Sequence, residues 1–409
     1  MPRRAPSKRG VHALGLGLGL ALASAALALL ASPLRALAQA SGAPSASATL
    51  YVHRDSDQTT VVTPRVHVGA PVGAENRVDL VYTTDVWTSA SIDIRTSASK
   101  RLDDNEYVPQ KPVSEQRDEI DVGFEHAFTD LTLGASYRYS IENDYESHGG
   151  SLGAAYEFAD HNATLALTAR AFFDKVWRAG DASLKHDANT ISARLAFTQI
   201  VDARSLVQIV YELSRLDGYL SSPYRFVRIA TDAGHIPGTC VVAPALPGGD
   251  PVAACLQEQN PELRLRHALG VEGRRALTRA LSAGLSYRFY IDDWGIRSHT
   301  AGVDLAWIPG DGWLLSLGYR FYTQSAASHY APFYQPAPLP DHYTSDKELS
   351  QLASHRVELE LARVFALDDL GSALRTVLRA APAYFVYYDF PLLDSMRVLE
   401  VTLSLELSL

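Results

Sequence analysis

Leu281-Ser282-Ala283-Gly284-Leu285-Ser286-Tyr287-Arg288-Phe289-Tyr290-Ile291-Asp292 decides the fold. Its odd positions read Leu, Ala, Leu, Tyr, Phe, Ile, and its even positions Ser, Gly, Ser, Arg, Tyr, Asp. Successive side chains of a strand point to opposite faces, so this stretch has one apolar and one polar face. The pattern recurs from Leu131 to Glu142, from Leu315 to Tyr322 and from Leu399 to Leu409. After the first forty residues no segment has helical spacing, and the chain reads as all-β.

Sixteen alternating segments start near residues 46, 60, 76, 114, 130, 147, 163, 188, 204, 262, 279, 296, 313, 351, 373 and 395. Short connections (127–130, 159–162, 201–204, 276–280, 309–312 and 366–372) alternate with mostly longer ones (97–113, 143–147, 178–187, 215–261, 325–350 and 389–394). An even number of strands with short turns at one rim and long loops at the other is the plan of a transmembrane β-barrel. Aromatic residues gather at both ends of the apolar rows, among them Phe128, Phe158, Trp307 and Trp313 by the short turns and Phe173, Trp177, Phe289 and Trp294 by the long loops. Two such girdles fit the two interfaces of a bilayer and have no purpose in a soluble barrel. The fold expected is an antiparallel transmembrane β-barrel of about 16 strands. Its polar row carries Arg77, Asp79, Asp85, Arg138, Arg170, Arg194, Glu212, Glu272, Arg288, Asp304, Arg320 and Glu358, the residues expected to line the lumen.

Composition narrows the function. Of 409 residues, 47% are hydrophobic and 20% charged, which excludes a disordered chain. Nothing beyond residue 40 approaches a run of ~18 apolar residues, which excludes a polytopic helical membrane protein. Arg3, Arg4, Lys8 and Arg9 precede an apolar stretch that ends in Ala36-Leu37-Ala38-Gln39-Ala40, the layout of a signal peptide cut after Ala38 or Ala40. Residues 1–40 are therefore read as a leader and 41–409 as one barrel domain. Losing the leader removes five basic residues and no acidic one, leaving 32 against 46 and a charge of −14. An acidic chain without a basic run does not grip nucleic acid. The expected location is the outer membrane, with its lipid and the barrel-assembly machinery as partners, and small solutes or ions if the lumen is open.

Several stretches resemble the family known as domain of unknown function 3570, outer-membrane barrels of Gram-negative bacteria. They are Tyr51 to Asp57 with Thr59 to Pro64, Trp87 to Asp93, Leu216 to Arg225, Tyr287 to Gly295 and Tyr319 to Gln324. The resemblance implies location and fold and supplies no catalytic residues.

Chemical motifs are sparse. Gly149-Gly150-Ser151-Leu152-Gly153 matches the nucleophile elbow, which needs a strained strand-to-helix turn; here it opens an alternating strand and reads as barrel wall. Asp55-Ser56-Asp57 offers two carboxylates to Ca²⁺ but lacks the remaining oxygens, so an Asp-stabilised turn is the simpler reading. Asp292-Asp293-Trp294-Gly295 reads as a hairpin tip with a Trp at the membrane surface. His299, His329 and His342 lie near the long-loop rim, where they could meet or stand as solvated loop residues. Asn162-Ala163-Thr164 is a glycosylation sequon by pattern only and carries no function here. Cys240 and Cys255, in the longest loop of an exported chain, are expected to form one disulfide worth ~3 kcal/mol. No cofactor or metal site emerges. Three functions follow in order: a pore or transport channel, a non-conducting barrel whose loops bind a partner, and a rim enzyme acting on lipid. The chain is expected not to be an enzyme.

Overall fold

Alternating strands satisfy their backbone groups only when each finds a partner on both edges. The computed structural model describes residues 43–89, 113–178, 181–230, 255–310, 312–335, 338–367 and 372–408. Its first strands are β1 (Ser45–Asp55), β2 (Thr59–Val72), β3 (Asn76–Ser89), β4 (Val113–Ala127), β5 (Leu131–Ile141) and β6 (Tyr145–Phe158). β7 (Ala163–Arg178), β8 (Asp181–Asp202), β9 (Ser205–Gly218), β10 (Phe226–Arg228), β11 (Cys255–Gln257) and β12 (Leu263–Ala276) follow. β13 (Leu281–Asp292), β14 (Arg297–Gly310), β15 (Trp313–Gln324), β16 (Leu352–Leu367), β17 (Ser372–Tyr387) and β18 (Ser395–Ser408) complete the chain. All but β10 and β11 join one closed barrel of antiparallel neighbours, and those two form a separate small sheet. An even number of up-and-down strands makes the closing pair antiparallel: β1 runs along β18 from Ser45 opposite Ser408 to Asp55 opposite Val398.

Fifteen of the sixteen barrel strands begin within two residues of the positions read from the sequence. The exception is β8, which begins at Asp181 instead of near 188. Where a longer loop is expected, β7 and β8 thus extend to Arg178 opposite Asp181, beyond a register shift that follows Val176 opposite His186. Pairing of β8 with β9 begins at Ala188 opposite Gly218, and beyond it the added stretch meets the β9 side at Tyr219, whose N–H donates to Asp187 O at 2.9 Å and whose ring stacks on His186. It contains Asp181, Lys185, His186 and Asp187 and stands beyond the apolar band, which is why no hydrophobic row marks it. Likewise β6 begins at Tyr145, leaving 142–144 as a short turn. Great length at this rim belongs to a few connections, two of them described in part or whole: 219–262 and 325–351.

The odd-numbered row of β13 faces outward: Leu285 is 67% exposed, and Leu152 on β6 reaches 68%. Val78, Leu80, Val122, Leu167, Leu195, Leu269, Val303, Leu317, Leu359 and Leu403 share that exposure around the ring. An apolar wall so exposed has hydrocarbon for its solvent. Among the described residues no helix is long and apolar enough to cross a membrane. Residues 1–40 and Cys240 lie outside the described residues, and with Cys240 the expected bridge to Cys255, which opens β11.

Leu285→Arg is therefore expected to cost about 2–4 kcal/mol in bilayer-folded protein, the depth-dependent cost of a cation in hydrocarbon. The same change at an exposed position in water is close to neutral. Urea unfolding of the two proteins in lipid vesicles measures the difference.

Candidate functional site

The opposite row is the concave face. Register carries it around the barrel: Arg77 lies opposite Glu125, Asp79 opposite Gly123, Asp85 opposite Arg117 and Asp121 opposite Arg138. Arg170 lies opposite Ser192, Arg194 opposite Glu212, Glu272 opposite Ser286 and Arg288 opposite Thr300. Asp304 and Glu358 both face Gly318, and Arg320 faces Arg356. All twelve residues picked from the sequence thus stand on one face, opposite the exposed apolar row. Several contacts identify it as the inside. Arg274 on β12 reaches Asp304 on β14 at 2.6 Å, and Arg288 on β13 reaches Glu212 on β9 at 3.0 Å. Arg356 on β16 pairs with Glu400 on β18. Each pair steps over a whole strand, and side chains converge in this way only where the sheet curves toward them. Gly284 makes one step possible: a Cβ there would stand 2.2 Å from Asp304 Oδ1 and 2.9 Å from Arg274 Nη2.

Neighbouring strands add Arg117–Asp85 at 2.6 Å, Arg138–Asp121 at 3.0 Å and Arg379–Glu360 at 2.5 Å. Among the described residues Arg170, Glu272 and Arg320 make no ion pair. On β12 to β15 five inward arginines (264, 266, 274, 288 and 320) stand against three inward acids (Glu272, Asp292 and Asp304), so this quarter of the wall is basic.

Above the wall the two long connections fold together as a cap. Single bridges join Ile229 to Tyr334, Gln259 to Tyr343 and Tyr330 to Thr344. Val227, Ile229 and Tyr334 form one buried apolar cluster, and Trp294, Ile296, Ala327 and Leu349 another. Charges are buried with them. Glu258, 4% exposed, accepts hydrogen bonds from Thr344 Oγ1 (2.6 Å) and Ser222 N (2.9 Å), and Arg225 pairs with Asp346 at 2.6 Å. The cap is also tied to two distant hairpins. Lys347 donates to buried Asp57 in the β1–β2 turn at 2.8 Å, and Tyr224 donates to Asp144 in the β5–β6 turn at 2.5 Å. Around the sixteen-strand ring these turns and the roots of the two long connections fall four strands apart. The cap is thus held at quarter-turn intervals and spans the mouth.

Beneath it, against the basic wall, lies a cavity of about 580 Å³. Arg264, Arg266, Arg288, Tyr290, Trp294 and Tyr322 line its wall side, and Arg225, Glu258 and Asp346 its cap side. Arg264 is held by Asp292 at 2.5 Å and lies 4.2 Å above the Trp294 ring. Arg266 Nε is buried with no hydrogen-bond partner among the described residues. A concave site with aromatic faces and fixed guanidinium groups is suited to holding a small polar solute.

The other sequence candidates resolve differently. Ser151 lies inside β6 and shares a 2.8 Å hydrogen bond with Ser136, with no turn to strain it. Asp55 accepts from Thr59 N at 2.8 Å, the expected turn bond, whereas Asp57 belongs to the cap latch. Trp294 is not at the membrane surface: it is 5% exposed under the cap and donates to Leu263 O. His299 does not meet His329. It lies on the outer wall against Tyr287, while His329 Nε2 donates to Asn260 Oδ1 at 2.9 Å inside the cap. His329 is half-buried in the cap, and this burial, with His342 and Arg264 nearby, pushes its imidazole down to about 4. Glu115, Glu142 and Asp144 bring carboxylates within 4.8 Å of one another, but Arg117 lies 3.8 Å from Glu142 and Tyr224 holds Asp144. The latch residues Arg225, Glu258, Asp346 and Lys347 carried no signal in the sequence, since isolated charges in a Pro- and Tyr-rich loop read as solvated.

A closed ring with an apolar outer wall and an ion-paired inner one defines a β-barrel of the outer-membrane type. The chain belongs to the family described as Protein of unknown function (DUF3570), whose profile matches residues 19–188 and 181–374. No curated protein sequence matches it. Solved structures with a similar course include a bacterial polysaccharide outer membrane secretin (10% identity, TM-score 0.45, covering 89% of this chain and 98% of that one). Pseudomonas aeruginosa OprD is another, at 10% identity, TM-score 0.40, and 90% and 97% coverage. A deletion mutant of the monoaromatic hydrocarbon channel TodX matches at 11% identity, TM-score 0.44, and 93% and 94% coverage.

Two outcomes test the cap. Lys347→Met removes the cation beside the buried Asp57 carboxylate, a loss of about 3–5 kcal/mol for such a pair. Amide exchange across 344–349 should accelerate while the barrel amides stay protected. For His329 the folded pKa lies below the ordinary 6.5, so its contribution is full above that value. It is lost as pH falls from about 6.5 toward about 4, because the unfolded segment takes up a proton that the closed cap refuses. Glu258 has the opposite sign, its carboxyl being raised mainly by burial, and loosens the cap as pH rises through that raised value. Acid-induced opening of the cap, read by exchange, should therefore flatten in His329→Gln.

Proposed function

We propose that the protein is an outer-membrane channel for small polar solutes, placed there by its leader and the barrel-assembly machinery. The observation that carries this reading is the charged face, ion-paired over much of its course, inside a closed sixteen-strand ring. Sixteen strands enclose more space than side chains alone fill. In this reading the cap closes the mouth at rest, and the cavity against β12 to β15 is the first station a solute meets when the cap lifts. The lumen charges set ion preference and no catalytic step is involved. The cap also supports a second reading, a non-conducting barrel whose ordered loops present a surface to a partner.

Conductance in a planar lipid bilayer decides between them, on protein whose gel mobility changes on heating. Step-like conductance supports the channel, and Arg320→Glu in the basic quarter should then shift the reversal potential in a salt gradient toward cations. Lys347→Met should raise the open fraction. A folded barrel that stays silent even with the latch removed would overturn the channel in favour of the binding platform.

A further inference from the structure

The outer wall carries a repeated polar device that conduction does not use. Four tyrosines each share a hydrogen bond with a histidine on the next strand: Tyr137 with His148, Tyr211 with His267, Tyr287 with His299 and Tyr319 with His355. The distances are 2.8, 2.8, 2.7 and 2.8 Å, and Nδ1 is the ring atom engaged each time. The tyrosines are 51, 41, 48 and 42% exposed, in the same row as the apolar residues that face hydrocarbon. Each tyrosine sits on a strand running toward the long-loop rim, and each histidine lies two to four residues into the strand returning from it. The four pairs therefore share one level, at the edge of the apolar band on the cap side.

With Nδ1 occupied, Nε2 faces elsewhere, and for His267, His299 and His355 it has no partner among the described residues. Arg54, Arg297 and Arg397 stand on the same outward row at the same rim, all exposed, and among the described residues their guanidinium groups pair with nothing. Of the acids near this level, Asp187 is engaged by Lys175, Asp217 by Arg215, Glu146 by Tyr139 and Asp293 by the Leu265 N–H. With each Nδ1 accepting the tyrosine hydroxyl proton, Nε2 carries the ring hydrogen, and these N–H groups join the three guanidinium groups as donors where the wall passes from hydrocarbon to headgroups.

From this geometry we propose that the collar of His267, His299, His355, Arg54, Arg297 and Arg397 binds the phosphate groups of a phosphorylated lipid in the leaflet on the cap side. The ligand must hold acyl chains against the leucine rows and anionic oxygens against the donors one level above, which is the chemistry of such a lipid. The pairs lie on β5–β6, β9–β12, β13–β14 and β15–β16, with Arg54 and Arg397 at the β1–β18 seam. The six donors themselves lie on β12, β14, β16, β18 and β1, so the collar is an arc along one side of the ring that suits a row of lipids. A second copy of the chain would bring like charge against like. The proposal rests on the membrane-spanning wall and is independent of whether the lumen conducts.

The full-length folded barrel in detergent is titrated with bis-phosphorylated lipid A and with its dephosphorylated form, and bound lipid is counted by native mass spectrometry. The phosphorylated lipid should bind at least about tenfold more tightly, and Arg54→Leu, Arg297→Leu and Arg397→Leu should each weaken it by about fivefold. The triple variant His267→Phe, His299→Phe, His355→Phe keeps ring size and should weaken it too, with the heat-dependent gel shift intact. Equal binding of the two lipids, or unchanged binding in both sets of variants, would overturn the collar. So would full displacement by inorganic phosphate, which would mark a site for a free anion. Should Leu285→Arg prove neutral in vesicles, the membrane wall itself fails, a result separable from any of these.

Discussion

Everything in this protein depends on the seam between β1 and β18. A strand edge in hydrocarbon leaves its amides and carbonyls without water, at a cost of several kcal/mol per group. Pairing along eleven residues from Ser45–Ser408 to Asp55–Val398 removes the last edge. Only a closed ring can then face its apolar rows outward, against the habit of soluble proteins. The rest follows from that inversion: the charges have nowhere to go but inside, and inside they must find one another.

They do so by two kinds of contact. Pairs between adjacent strands, such as Arg138–Asp121, sit over the backbone ladder and add little that the ladder lacks. Pairs that skip a strand need little or no side chain on the strand between: Arg274–Asp304 passes over Gly284, and Arg356–Glu400 crosses β17 at Ala381 and Ala383. Small residues in the polar row thus make room for their neighbours' charges as well as lining a wall. The basic quarter at β12 to β15 and the cap cavity coincide because Arg264 and Arg266 serve both.

The barrel was almost wholly legible because its signal is local. Period two and turn residues fix strand, face and register, and the ring is the single way to satisfy sixteen such strands in lipid. Where the signal is absent the reading falls short. The start of β8 has no apolar row, since it stands clear of the bilayer. The cap was illegible for another reason: Lys347 and Asp57 are 290 positions apart, and nothing in either neighbourhood marks the other. Trp294 looked like an interfacial residue because the cap that buries it is built from chain far away in sequence. The outward histidines carry no signal in the sequence, since each pairs with a tyrosine of the preceding strand in the ring; the regularity appears only once register is known.

The strand-skipping pairs have a mechanical meaning as well. Hydrogen bonds between neighbours fix the spacing along the perimeter, which leaves the outline free to flatten into an ellipse without breaking one of them. Arg274–Asp304, Arg288–Glu212 and Arg356–Glu400 instead fix the distance between next-nearest strands, and therefore the local bend. Backbone bonding sets the circumference of this barrel, and a few inward charges set how round it is.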